Sequence, residues 1–333
     1  MNSHSQHGLG FLNLHQLSSQ RTLRAAVVGA GTFGKHHATK YLRLPSVKLA
    51  GIADPSAEAR HYVETHLHVP AVADWHELLG KVDVVSVCSP ASTHAGIVRA
   101  FLKAGAHVLV EKPIATELAE AEELIALAEK KGLVLTVGHQ ERFVFAKSGL
   151  LDYEDAPLLI QSVRAGPWTG RGTDVSVVLD LMIHDLDLIH RLVPGAPLMV
   201  RAQGRSIYGE FADEVTAHLV FDHGACVELT ANRAAEARRR AMRVVYPDGE
   251  IEIDFLARTV VNTTGRKLQS LELRDPLGES VGSFVEAART GLATLVRPEE
   301  AYRALETALL IEEAAVPFGE IHTAERAALR RWA

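Results

Sequence analysis

Cysteine is almost absent from this 333-residue chain, with Cys88 and Cys226 the only two. No C-x-x-C pair occurs, so neither a disulfide framework nor a thiolate zinc site is supported, and a reducing cytoplasm is the simplest compartment. A surplus of positive charge is lacking too. Lys and Arg number 35 against 41 Asp and Glu, a formal net charge of −6, which argues against a general nucleic-acid or anionic-membrane binder. An acidic substrate therefore has to be held by local arginines rather than by the overall field. No apolar run approaches the roughly 20 residues of a membrane span. Residues 1–22 lack a basic start followed by an apolar stretch, so they read as a flexible extension rather than a secretory signal. Within it, His4, His7 and His15 are scattered in a polar tail, where solvation is expected rather than metal binding. No metal is expected anywhere in the chain.

The length exceeds one ordinary domain, and 47% hydrophobic residues suffice for two sizeable cores. The most constraining stretch is Ala26-Val27-Val28-Gly29-Ala30-Gly31-Thr32-Phe33-Gly34, a strand-like run meeting glycines at the spacing G-x-G-x-x-G. Gly29 permits a tight turn, Gly31 a close backbone approach to a pyrophosphate, and Gly34 close packing of the following helix on the strand. Free N–H groups at that helix start then face the phosphates. Asp54 closes the next strand, Val47–Ala53, twenty residues after Gly34. A carboxylate there accepts the adenosine ribose hydroxyls and repels a 2′-phosphate, which favours NAD over NADP.

From Arg24 to about Gly138, strand-like and helix-like patterns alternate. Helical Ser56–His66 is followed by a short helix, Asp74–Gly80, with Asp74 as its expected cap. Strand Asp83–Cys88 ends at Ser89-Pro90, helix Thr93–Ala104 follows, and strand His107–Val110 ends at Glu111-Lys112-Pro113. A long helix capped by Thr116 and running to Lys131 leads to Leu133–Val137, the sixth strand. This order implies a Rossmann-type, doubly wound parallel α/β sheet with its ligand at the carboxyl ends of the strands. The glycine loop, Asp54, Ser89-Pro90 and Glu111-Lys112-Pro113 then share one edge.

After Gly138 the pattern changes. Leu158–Ala165 alternates as a strand, and Leu179–Val193 reads as a helix. Repeated strand signals follow at 198–207, 214–221, 225–233, 242–246, 250–255, 259–263 and 268–273. The turns Asp222-His223-Gly224 and Pro247-Asp248-Gly249 point to hairpins, hence an α+β domain with a large, mainly antiparallel open sheet. Helices Ser280–Thr290 and Pro298–Ala315 close the chain. The expected division is an extension (1–22), an NAD-binding domain (23–140) and a substrate-binding and oligomerisation domain (141–333). In that division the C-terminal helix packs back on the first domain. A sheet covered by helices on one face only suggests a homodimer or homotetramer formed through the other.

Lys112 stands where the fifth strand meets the cofactor edge, so its ammonium can polarise a hydroxyl or carbonyl. On the helix from Leu179, Asp180, His184, Asp187 and Arg191 share one stripe, with Met182, Leu186, Ile189 and Val193 roughly opposite as core. A carboxylate beside a histidine orients the ring and raises its basicity, as a general base requires. The same pattern also suits an Asp–His pair on the surface of an ordinary amphipathic helix. Arg142, Arg164 and Arg171 precede this helix and are candidates for gripping an anionic substrate by forked hydrogen bonds. The run Arg238-Arg239-Arg240 reads instead as decoration of an exposed strand.

With these residues placed, nearly everything from Arg24 onward resembles the family of glucose-fructose oxidoreductase, inositol dehydrogenase and related enzymes. The resemblance rests on Gly29–Gly34, Ser89-Pro90 with His94, Glu111-Lys112-Pro113, and Asp180 with His184. It implies that Lys112, Asp180 and His184 meet beside the nicotinamide, and that Lys112–Pro113 is a cis peptide. It also implies a cofactor set of Gly29, Gly31, Thr32, Phe33, Gly34, Asp54, Ser89, Pro90, His94, Glu111, Lys112 and Gln140. Within the family, Gly138-His139-Gln140-Glu141-Arg142-Phe143 and Arg164-Ala165-Gly166-Pro167-Trp168 are similar to segments of UDP-N-acetylglucosamine 3-dehydrogenases. Val144-Phe145-Ala146 departs from the Asn-Pro-Ala that often follows there. The narrower resemblance implies oxidation of a UDP-N-acetylhexosamine at C3, with Lys112, Arg142, Arg164, Trp168, Arg171, Asp180 and His184 at the substrate. Lys112 and His184 remain interchangeable as the base. Other readings are a free-sugar or inositol dehydrogenase, a 3-ketosugar reductase, an NAD-dependent glycoside hydrolase, or a sensor that only binds ligand.

Overall fold

The computed structural model describes residues 21–152, 155–170, 172–269 and 275–318. Arg171, the histidines of the N-terminal extension and most of the strand expected at 268–273 lie outside the described residues. The first half runs β1 (Leu23–Val28), α1 (Thr32–Leu42), β2 (Val47–Ala53), α2 (Ala57–Tyr62), β3 (Ala71–Val72) and β4 (Val84–Val87). It continues through α3 (His94–Lys103), β5 (His107–Val110), α4 (Leu118–Lys131) and β6 (Leu135–Val137). The six strands pair in parallel in the order β3-β2-β1-β4-β5-β6. The order reverses direction between β1 and β4, and the crevice at their carboxyl ends is where such sheets bind ligands. All four residues of β4 are buried, as expected of a strand covered on both faces.

Two local expectations are refined. Asp74 does cap, accepting from the His76 N–H, but the segment it caps is a 3-10 turn, Trp75–Leu78, rather than an α-helix. Thr116 does not cap α4, because the helix begins one residue later with Glu117 at its N-cap and no side-chain bond. The sixth strand place is filled by β3, two residues long and without a pattern of its own.

The second half contains α5 (Glu141–Ser148), β7 (Leu159–Ala165), a wide turn at Val178–Met182 and α6 (Ile183–Leu192). After them come β8 (Pro197–Arg205), β9 (Glu214–Phe221), β10 (Cys226–Asn232), β11 (Arg239–Tyr246), β12 (Gly249–Asp254) and β13 (Thr259–Asn262). The chain then closes with α7 (Pro276–Thr290), α8 (Pro298–Ala314) and β14 (Ala315–Pro317). The sheet order is β13-β12-β11-β7-β10-β9-β8-β14. Hairpins dominate, as the turn signals imply, but β7 inserts parallel to β10 and β14 runs parallel to β8. The inner face buries Ile160, Leu219, Leu229 and Val244 in one cluster with Met182, Leu186 and Ile189 beside α6.

α7 returns to the first domain. Its Val281, Phe284 and Val285 join Ala25, Val27 and Tyr41 in one buried cluster. Burying Phe284 completely stabilises this docking by about 1.5–3 kcal/mol. The two halves are thereby fixed around the crevice that lies between them.

Candidate active site

The glycine loop has the geometry its spacing implies. Gly29 adopts φ +94°, and a Cβ there would meet the Cys88 carbonyl oxygen at 2.6 Å. At Gly34 a Cβ would lie 1.7 Å from the Gly29 carbonyl oxygen, so only glycine lets α1 approach β1. Gly31 is different: a Cβ on it would meet nothing within 4 Å. It faces open space at the helix start, where α1 carries no acidic residue and no side-chain cap. That opening suits a pyrophosphate on backbone N–H groups. Asp54 follows β2, its Oδ2 accepting from Ala30 N–H at 2.6 Å and its Oδ1 from Ser56 N–H at 2.8 Å. Gly29, Gly31 and Asp54, with Thr32, Phe33, Ser89, Pro90 and His94, line a cleft of about 1060 Å³; Gly34 does not line it and serves the packing of α1 on β1.

A buried polar network backs this cleft. Glu111 Oε1 lies 2.8 Å from His37 Nε2 and accepts from Gln140 Nε2 at 2.8 Å, and His37 Nδ1 is 3.0 Å from Ser86 Oγ. Burial pushes the Glu111 carboxyl up, but His37, Lys112 and His184 outweigh it and hold it below the usual range. His94 bridges two carbonyls, Nδ1 to Pro113 at 2.7 Å and Nε2 to Ser89 at 2.9 Å. It thus ties the ends of β4 and β5 together. The Lys112–Pro113 peptide is cis.

Lys112 stands at the inner end of the cleft. Its Nζ donates to the Asp180 carbonyl at 2.5 Å and to Asp180 Oδ1 at 2.9 Å. Burial raises the Asp180 carboxyl, but Lys112, then His184 and Arg233, more than offset this and leave it lowered. A second recess of about 350 Å³ opens here, lined by Gln140, Glu141, His184, Arg240, Phe255 and Arg258 among others. Phe33, Lys112, Asp180 and Arg240 line both spaces. Lys112, Asp180 and His184 are therefore brought together, where the cleft meets the smaller recess.

His184 is not oriented by Asp180. Its Nδ1 lies 3.0 Å from Glu141 Oε2 at the start of α5, close in distance though off-axis for a full hydrogen bond. Unliganded catalytic contacts are commonly misaligned in this way. Burial lowers the His184 pKa, Arg164 and Lys112 lower it further, and Glu141 opposes them; the net shift is downward. For Glu141, burial raises the carboxyl but Arg164 and His184 hold it well below the ordinary carboxylate range. Asp180 belongs to Lys112 instead, because the wide turn at Val178–Met182 breaks the regular stripe expected of one continuous helix.

The arginines are also reassigned. Arg142 is 1% exposed and forms ion pairs with Asp187 and Glu300. Arg164 is 2% exposed and donates to Asp185 at 2.8 Å and to Glu141 at 2.8 Å. Neither residue lines the cleft or the recess, so both work as interior struts rather than as a diphosphate grip. Trp168 stacks on Tyr208 at 4.2 Å with Arg233 over its ring at 5.4 Å and does not itself line either space, although the next residue, Thr169, lines the cleft. Gln140 lines the smaller recess rather than the cofactor cleft. Arg238, Arg239 and Arg240 are exposed, as expected of strand decoration, but Arg240 also lines both spaces, a position set by the strand register of β11. Glu141 and Arg240 escape a reading of the sequence because a lone motif residue does not reveal its distant partner.

Two family models match: the Gfo/Idh/MocA oxidoreductase family, NAD-binding Rossmann fold, over residues 23–139, and its C-terminal domain over residues 152–252. A UDP-N-acetylglucosamine 3-dehydrogenase from Acidithiobacillus ferrooxidans is 34% identical over 278 residues, 80% of this chain and 88% of that protein. The chain belongs to the Gfo/Idh/MocA family. A solved structure of that A. ferrooxidans protein superposes with a TM-score of 0.82 at 33% identity, covering 89% of this chain and 98% of the other. A myo-inositol 2-dehydrogenase from Thermotoga maritima is 26% identical over 85% of this chain and 93% of its own. The scyllo-inositol dehydrogenase of Lactobacillus casei with bound NAD(H) shares the fold, with a TM-score of 0.76 at 20% identity over 89% of this chain and 97% of its own. The Gfo/Idh/MocA chain is thus an oxidoreductase of CH–OH groups with an NAD-binding Rossmann domain. The open space at Gly31 and the Asp54 carboxylate fit that cofactor. Among the described residues, no helix is long and apolar enough to cross a membrane.

Proposed function

We propose that this enzyme oxidises a ring hydroxyl of a pyranose, most specifically C3 of a UDP-linked N-acetylhexosamine. The carrying observation is the junction at Lys112 and Asp180, where the recess holding His184 opens into the cofactor cleft. The relative at 34% identity bears the name of that activity. NAD held along Gly29–Gly34 and Asp54 supplies the hydride acceptor. His184, with Nδ1 turned to Glu141, presents its other ring nitrogen to take the hydroxyl proton. Lys112 has three N–H donors, two of them engaged by Asp180; the third donates to the oxygen as it gains negative charge. With its ammonium set between a carbonyl and a carboxylate, Lys112 acts as the donor and His184 as the base.

A free-sugar or inositol dehydrogenase is the second reading, favoured by the engagement of Arg142 and Arg164 inside the protein. Assay of NADH formation over UDP-hexosamines, aldoses and inositols tests the choice. Turnover confined to UDP-hexosamines supports the proposal, and turnover of inositols or free sugars alone overturns it. Assembly as a homodimer or homotetramer through the outer face of the second sheet belongs to the same proposal, as does a cytoplasmic location.

A further inference from the structure

The smaller recess carries a cation without a partner. Lys112 has Asp180, His184 has Glu141, and Arg164 has Asp185 beside it. Arg240 lines the same space and forms no hydrogen bond or ion pair with any side chain of the described residues. Its position is not accidental. In the antiparallel pairing of β11 with β7, Arg240 stands directly opposite Arg164, so both side chains leave the same face of the sheet together. Like charges so opposed destabilise a sheet pair. Arg240 is exposed as a whole, yet partial desolvation of its guanidinium, then Arg164 and Arg238, hold its pKa below the usual arginine range, and Glu141 and Asp185 offset this only in part. Arg258 reaches the same recess from the turn after β12, in the left-handed region at φ +57°.

We propose that Arg240 binds an oxyanion carried by the substrate and so selects charged sugars over neutral ones. This rests on the sugar-oxidising reading of the same site. A planar guanidinium with forked donors suits a phosphate or a carboxylate oxygen pair. The group is either the diphosphate of a nucleotide sugar or the carboxylate of a uronate.

Calorimetric titration of the NAD-loaded full-length protein tests this, with UDP and glucuronate as probes and uridine and glucose as their neutral counterparts. The wild type is expected to bind one anionic probe at least about tenfold more tightly than its counterpart, and that probe identifies the source. Arg240→Gln should weaken that probe by about 10- to 100-fold, the loss expected of one charged hydrogen bond, and Arg240→Lys should restore part of it. Thermal melting of each variant separates misfolding from lost binding. Equal binding of both anionic probes by wild type and Arg240→Gln, or no charge preference in the wild type, overturns the inference. Arg240-dependent binding without NADH formation from any sugar would sink the proposed function alone. NADH formation indifferent to Arg240 and to substrate charge would sink this inference alone.

Discussion

His184 Nδ1 lies 3.0 Å from Glu141 Oε2, joining α6 of the second domain to the segment that leaves the Rossmann sheet. The pair fixes which ring nitrogen faces the recess. Replacing Glu141 with Gln removes a charged contact of about 1.5–3 kcal/mol, so kcat should fall about 10- to 100-fold. The pH profile carries a sharper sign. His184 is a base only when neutral, and its pKa lies below the ordinary 6.5, so kcat/KM should be flat above that pH and fall below it. Glu141 raises that pKa; Glu141→Gln should therefore move the acid limb to still lower pH. A limb that moves upward, or does not move, contradicts the pairing.

The proposed mechanism has Lys112 donate to, and His184 take the proton from, one substrate hydroxyl. Lys112→Ala and His184→Ala should each lower kcat by about 10²–10⁴-fold, the range of a positioned proton-transfer group. NAD affinity, followed by fluorescence titration, should stay close to that of the wild type in His184→Ala. Near-wild-type turnover in either variant would remove that residue from the chemistry.

Asp54 serves two sets of donors. Its carboxylate receives the Ala30 and Ser56 N–H groups, and it is the group expected to receive the ribose hydroxyls. Asp54→Ser should reduce kcat/KM for NAD and narrow the NAD over NADP preference by about tenfold or more, as loss of a charge-assisted contact would. Steady-state kinetics with both cofactors measure the ratio.

Arg142 is a structural cation. Removing it strips the buried Asp187 carboxylate of its guanidinium while Glu300 keeps Arg191 and Arg297, which should cost about 3–5 kcal/mol in urea unfolding. Replacing Arg142 and Asp187 together with apolar residues of similar size should recover much of that loss. If Arg142→Met instead weakens UDP-sugar binding with unchanged stability, the strut assignment fails.

Local chemistry was legible in the sequence wherever it depends on neighbours along the chain. The loop Gly29–Gly34, Asp54 and the Lys112-Pro113 strand end could all be placed from spacing alone, since turn sterics and strand ends are short-range facts. What escaped depends on pairing across the fold. Arg142 and Arg164 look like free cations until α6 brings Asp187 and Asp185 beneath them. Asp180 and His184 look like one pair until the wide turn at Val178–Met182 sends each to a different partner. Arg240 is an exposed strand residue, and its place on the rim of both spaces shows only once β11 pairs with β7. A run of residues does not reveal which strand will lie beside it, and β3, with two residues, has no period to read.

The most direct measurement uses UDP-N-acetylglucosamine deuterated at C3 and follows the label into the reduced cofactor by mass spectrometry. The account predicts deuterated NADH, formed more slowly than from the unlabelled sugar, and its loss in Lys112→Ala and His184→Ala. Unlabelled NADH, or none from this sugar alongside turnover of an inositol, would contradict it.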